Sequence, residues 1–354
     1  MGRTELPDQP FFHYGLDELD TGILFVGAPK SGKTTALSRV VEEANRCGDG
    51  TYAADVRGDL MSLALRVPGA LYVPQGEDRF NPLEPPPGVT LREWMPIVSA
   101  RLTLDLGLQT AGQAYCLGLL EELALRAEAQ GTIPTLLDLY ELARSKKHTP
   151  RSSEEGYRDR LVARLHALLV MGGARLFSVQ RGLPLMQAAE DGRLVIVDMR
   201  VDKMLADFVT TCRLFWLYHR RLRSDQPFAQ RTVLISLDEQ RNLIRLQPRD
   251  AAMIADIELL FSRSRALGIG FLVSEQVVSM VSPAVVTACR LKLAFNSSPP
   301  ELLHVARLLG LNDRQARELT TLPPGQCIAR LSGDRLPHPF RLTIPFPGGA
   351  PCSA

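Results

Sequence analysis

Eight residues, Gly27-Ala28-Pro29-Lys30-Ser31-Gly32-Lys33-Thr34, carry the spacing G-x-x-x-x-G-K-[ST]. Glycines at those positions let a backbone curl until its N–H groups converge on an anion, and a following helix adds the positive end of its dipole. A lysine at the seventh position reaches the β/γ-phosphates of a nucleotide as a point charge, and a hydroxyl after it ligates Mg²⁺. Lys33 and Thr34 fill those places, and Thr35 follows. The expected chemistry is binding of ATP with Mg²⁺ by Gly27, Ala28, Pro29, Lys30, Ser31, Gly32, Lys33, Thr34 and Thr35.

Far downstream, Thr232-Val233-Leu234-Ile235-Ser236-Leu237-Asp238-Glu239 is an apolar run ending in two carboxylates. A strand that ends in Asp-Glu is common by itself. Beside a phosphate-binding loop it has a specific use: Asp238 would hold Mg²⁺, partly through water, and Glu239 would orient and polarise an attacking water. The adjacent glutamate favours hydrolysis over a nucleotide switch. Next comes Ser262-Arg263-Ser264-Arg265-Ala266-Leu267-Gly268, then an apolar run and Glu275-Gln276. Gln276 would leave the neighbouring strand where it can sense a γ-phosphate, or simply bond to backbone. Taken singly, Arg265 is best read as a cation favourable at a helix C-terminus.

The elements that must position these groups follow from periodicity. A strand over 22–26 feeds the phosphate loop and a helix over 35–44 leaves it, the context this motif requires. Further strands are expected over 51–54, 70–73, 193–198, 232–237, 268–274, 291–296 and 326–331, alternating with helices over 207–223, 251–266 and 300–309. Alternation of this kind implies a mostly parallel sheet flanked by helices. Pro85, Pro86 and Pro87 stop regular structure at the sheet exit. From 90 to 180 the apolar period is helical, with helices over 91–104, 113–129, 135–144 and 157–171. The fold class expected is α/β with an inserted all-α domain: 1–89 and 181–347 form a discontinuous nucleotide-binding domain, 90–180 the insertion, and 348–354 a loose tail. A final strand or arm is expected over 340–345.

Composition bounds the partners. The 354 residues have 45% hydrophobic and 23% charged content, ordinary for a soluble chain. A formal charge of +2 means that any nucleic-acid surface is a local patch. Arginine dominates the basic residues, a bias best read as genomic. Cys47, Cys116, Cys212, Cys289, Cys327 and Cys352 show no C-x-x-C spacing, which points to a reducing cytoplasm and away from zinc. No stretch reaches the ~20 apolar residues of a membrane span, and Met1 to Pro10 is polar with no signal-peptide core. A cytoplasmic protein is expected, peripheral at the inner face of the membrane only through a partner. The basic segment Ser145 to Arg151 and the face Arg158, Arg160, Arg164 read first as a solvated loop and polar helix surface. The arginines Arg241, Arg245 and Arg249 read equally as a channel lining or a solvated loop.

Together these residues resemble the motor domain of the FtsK–HerA superfamily of RecA-like DNA translocases, most of all the coupling ATPases of conjugation and type IV secretion. The resemblance rests on Gly27 to Thr35, on Asp55 to Leu60 with Phe80-Asn81-Pro82-Leu83, on Asp238-Glu239, and on Arg265-Ala-Leu-Gly leading to Gln276. It spans most of the chain and includes the helical insertion. It implies a RecA-like P-loop ATPase that assembles as a homo-hexameric ring and couples hydrolysis to DNA translocation. It implies that Arg265 is an arginine finger acting in the neighbouring subunit, with Arg263 as the fallback, and that Gln276 is the sensor glutamine. Lys33, Glu239, Arg265 and Gln276 would then carry catalysis. Alternatives are a secretion or pilus-assembly ATPase that moves protein, a HerA-like DNA-repair translocase, and a nucleotide-gated scaffold, which Glu239 argues against. Coupling proteins begin with transmembrane helices, HerA helicases with a β-barrel, and FtsK translocases end in a winged helix; the chain is expected to be a motor without these. A membrane-anchored secretion or transfer partner is the expected recruiter, and DNA contact is expected to be to backbone phosphates, without base readout.

Overall fold

The computed structural model describes residues 2–6, 9–108, 110–224, 232–238, 260–333, 336 and 338–345. The chain divides into two compact units, Met1–Tyr72 with Gln187–Ile196 and Phe228–Ala354, and Val73–Met186 with Val197–Pro227.

The first unit is built on a sheet of β1 Gly2–Leu6, β2 Gln9–Phe12, β3 Ile23–Val26, β4 Gly50–Asp55, β5 Leu71–Val73, β6 Leu194–Asp198, β7 Val233–Asp238, β8 Ile269–Glu275, β9 Leu291–Ala294, β10 Gln326–Leu331 and β11 Phe340–Thr343. The order is β2-β1-β11-β10-β9-β3-β8-β7-β4-β6-β5. Strands β9, β3, β8, β7 and β4 pair in parallel; β9, β10, β11, β1 and β2 pair in antiparallel fashion. Strands β3, β4, β8 and β9 are buried along their whole length, as near-continuous apolar runs in a parallel sheet must be. Helix α1, Lys33–Arg46, packs on β3, β4 and β8. Its Ala36, Leu37, Val40, Val41 and Ala44 share one core with Ile23, Phe25, Ala53, Leu234 and Leu272. Full burial of each larger aliphatic side chain contributes about 1.5–3 kcal/mol, so the helix that begins at Lys33 is firmly seated.

The strand readings from periodicity agree with these elements to within a few residues. The N-terminal segment adds to them: the polar stretch, for which the pattern gave no strand, forms β1 and β2, with Arg3 in register with Thr343 of β11. Its strand state comes from pairing with a segment at the far end of the chain, which no local pattern reports. Of the helix expected over 251–266, only the part from 260 lies within the described residues, and it ends in a 3-10 turn, Ser264–Leu267.

The second unit is helical. It holds α3 Leu91–Leu106, α4 Thr110–Gln130, α5 Leu136–Ser145 and α6 Ser153–Leu168; α2, Met61–Arg66, belongs to the first unit. Helices α3, α4, α5 and α6 pack on one another. Thr135 and Asp138 close a capping box at the start of α5, and Ser152 accepts a hydrogen bond from Glu155 N–H at the start of α6. The unit comprises Val73–Met186 and Val197–Pro227. It takes in the Lys203–Leu222 helix, which starts earlier than its apolar pattern because Asp202 accepts from Met204 N–H at 2.8 Å. Within this unit the buried Arg213 donates to Asp78 at 2.6 Å and lies over the Phe80 ring at 4.8 Å. No helix among the described residues is long and apolar enough to cross a membrane.

Candidate nucleotide-binding site

The loop from Gly27 to Gly32 joins β3 to α1 and is braced from two directions. Ala28 N–H donates to the Asn296 carbonyl at 2.7 Å, and Gly325 N–H donates to the Ser31 carbonyl at 3.2 Å. The Asn296 side chain ties these supports together, donating to the Thr320 carbonyl at 3.0 Å. Both glycines are required. Gly27 has φ 150°, and a Cβ there would stand 2.9 Å from the Asn296 carbonyl oxygen. Gly32 has φ 108°, and a Cβ would stand 2.7 Å from Gly325 N. A side chain at either place would push the loop off its supports. Lys30 holds φ 60° without being glycine, a strained geometry typical of functional loops.

Lys33 opens α1 and is buried. Its ammonium donates to the Gly27 carbonyl at 2.8 Å and to the Ala28 carbonyl at 2.9 Å, so the charge lies within the curl of the loop. Pro29 and Lys30 are exposed, while Thr34 and Thr35 are half-buried. A cavity of about 480 Å³ opens here, lined by Pro29, Lys30, Gly32, Lys33, Thr34, Thr35, Arg57, Pro324, Gly325, Gln326, Thr343, Ile344 and Pro345. That volume suits a small-molecule ligand such as a nucleotide.

Sheet register brings two other predicted groups, Asp238 and Gln276, to the same edge. Asp238 ends β7 in register with Ser274 of β8, and Glu275 of β8 is in register with Val26, the last residue of β3. Parallel pairing therefore puts Gly27 and Gln276 just beyond, and Asp238 at, the C-terminal ends of three neighbouring strands, where ligands of open α/β sheets bind. Asp238 and Gln276 are both half-buried, and Gln276 N–H donates to Glu275 Oε1 at 2.9 Å. Glu239 lies outside the described residues, as do Arg241, Arg245 and Arg249. The hydroxyls of Ser31, Ser236 and Ser274 are buried with no hydrogen-bond partner among the described residues.

Arg265 is not brought to this edge. It sits in the Ser264–Leu267 turn that precedes β8, whereas Gln276 follows it, and the intervening strand is about 23 Å long at ~3.3 Å per residue. Its side chain is 66% exposed, with Nε 3.6 Å from Asp20 Oδ2, and Arg263 is exposed beside it. Within one chain, neither guanidinium serves the cavity. In the helical unit, the basic segment and the helix face beyond it are partly paired internally: Lys146 with Glu122 and His148 with Glu154 in the segment, Arg158 with Asp159 on the face.

Sequence reasoning missed three parts of the site. Asn296 stands at a strand end with no motif around it. The wall formed by 324–326 and 343–345 is created by the pairing of β10 with β11, so it has no local signal. Arg57 had one, its place in the Asp55 to Leu60 segment. The residues present fit Mg²⁺-nucleotide: the Lys33 ammonium and the Thr34 hydroxyl line the cavity, Asp238 ends a strand on the same sheet edge, and no Cβ fits at Gly27 or Gly32.

No protein-family model matches the sequence, and no curated protein matches it. Solved structures share its fold. VirB4 of Thermoanaerobacter pseudethanolicus is 17% identical with TM-score 0.70, over 97% of this chain and 95% of that one. The plasmid coupling protein TrwB in complex with ADP and Mg²⁺ is 13% identical with TM-score 0.66, over 93% and 86%. TrwB with the non-hydrolysable ATP analogue ADPNP is 15% identical with TM-score 0.66, over 95% and 88%. The chain thus has the RecA-like P-loop fold of these proteins, in line with the resemblance carried by its motifs.

Proposed function

We propose that the protein is a Mg²⁺-dependent ATPase that couples hydrolysis to DNA movement as a ring of identical subunits, in a conjugation-like or secretion process. The carrying observation is the braced loop: two glycines that admit no Cβ and a lysine held inside the curl, at the C-terminal edge of a parallel sheet that also presents Asp238. Fold-level similarity to VirB4 and to the coupling protein TrwB, which has been seen with ADP and Mg²⁺, supports the nucleotide and the process. The segment 90–180 is proposed as the inserted helical domain of this motor.

In this reading Lys33 leaves the Gly27 and Ala28 carbonyls for the β/γ-phosphates, and the loop N–H groups bind the phosphate chain. Thr34 and Asp238 would hold Mg²⁺, which supplies neutralisation of charge on the phosphate oxygens. Glu239 orients the attacking water and accepts its proton, and Gln276 contacts the γ-phosphate region from the end of β8. Arg265, exposed and on the far edge of its own sheet, stabilises transition-state charge in the adjacent subunit's site. Arginine fingers of this kind are worth about 10³–10⁵ in rate.

Phosphate release measured with and without single- and double-stranded DNA tests the proposal. Stimulation by DNA that weakens steeply with added salt is expected. An ATPase indifferent to both DNA forms would favour the reading in which protein is moved, and no turnover with Mg²⁺ would leave a nucleotide-gated scaffold.

A further inference from the structure

Behind the cavity, β4 ends in Asp55, a carboxylate only 3% exposed. It accepts four backbone N–H groups: from Arg57 at 3.2 Å, Gly58 at 2.7 Å, Asp59 at 3.2 Å and Leu60 at 2.9 Å. A carboxylate saturated this way fixes the whole turn, because each bond to a charged acceptor is stronger than a neutral one. What the turn holds out is Arg57. Its side chain is 40% exposed and lines the same cavity as Lys30 and Lys33. It makes an ion pair with Asp59 at 3.4 Å, a loose and exposed contact of the kind that contributes little and exchanges readily.

The direction from which Arg57 arrives identifies what it meets. In the sheet, β4 lies beyond β8 and β7 on the Asp238 side of β3, whereas β9, β10 and β11 lie on the other side. The cavity wall on that other side offers Pro324, Gly325, Ile344 and Pro345 with Gln326 and Thr343, a surface suited to a base and sugar. Arg57 stands on the opposite, acidic-residue side, and its planar fork matches phosphate oxygens.

We propose that Arg57 binds the terminal phosphate of the nucleoside triphosphate from within the same subunit, making the cavity selective for triphosphate over diphosphate. This deepens the ATPase reading and rests on the cavity being the nucleotide site. It gives each site a second cation of its own at the γ-phosphate, beside Lys33 and separate from the neighbour's Arg265.

Equilibrium binding of a non-hydrolysable ATP analogue and of ADP, each with Mg²⁺, to the full chain decides the matter. Arg57→Ala should weaken the ATP analogue about tenfold, the scale of one lost charge-assisted bond, and ADP by less than about twofold, with its thermal midpoint unchanged. Arg57→Lys should fall between, keeping the charge but not the fork. Equal weakening of both nucleotides, or none, overturns the proposal while leaving the nucleotide site standing. Lys33→Ala, run beside them, addresses the site itself: undiminished binding of both nucleotides in that variant would overturn the site and this proposal together.

Discussion

Lys33 shows how a buried charge is kept ready for its ligand. Its ammonium is satisfied by two carbonyls of the loop that it serves, so desolvation is offset before any phosphate arrives. Exchange of those carbonyls for phosphate oxygens trades neutral acceptors for charged ones, which form stronger bonds. Lys33→Ala should therefore lower ATP turnover by at least about 10²–10³, the scale seen when one donor to developing charge is removed. Steady-state phosphate release checks this, and normal turnover would remove the site assignment. Gly27 and Gly32 are constrained by neighbours rather than by the ligand alone: the obstacles are the Asn296 carbonyl and Gly325, residues hundreds of positions away that the motif does not mention.

At the scale of elements, the helical unit carries a charge that its own burial opposes. Burial raises the Glu84 carboxyl above its ordinary value, against the lowering effects of the Gly182 N–H bond and Arg181. A raised carboxyl value means that the folded form holds the proton more tightly. Stability is then fullest below the unfolded value and declines as pH rises through the folded one. Glu84→Gln should stabilise the protein at pH 7, keeping an acceptor for Gly182 N–H, and the gain should disappear in acid. Denaturant midpoints of both chains at the two pH values test the sign. The elements also show what local pattern can and cannot convey. The apolar runs of β3, β7 and β8 were legible because strands buried on both faces must be continuously hydrophobic, and α1 was legible from the glycine loop ahead of it. The β1–β2 hairpin was not, since pairing with β11 decides it. The 324–326 and 343–345 wall of the cavity was hidden for the same reason. Arg57 was visible as a residue but not as a ligand-facing one until the Asp55 turn gave it a direction.

For the whole molecule, the central point is that β8 separates two predicted catalytic groups. Gln276 leaves its C-terminal end beside the phosphate loop, while Arg265 precedes its N-terminal end, exposed and about a strand's length away. One chain can thus offer a cradle at one edge and a guanidinium at the other, an arrangement that supports hydrolysis shared between neighbours in a ring. Mixing two inactive variants tests this most directly: Arg265→Ala, which keeps the cradle and the acidic pair, and Glu239→Gln, which keeps the guanidinium. The account predicts that each alone is nearly inactive and that mixtures recover ATPase activity, with a maximum at intermediate ratios. No recovery at any ratio, or full activity of Arg265→Ala by itself, would contradict it.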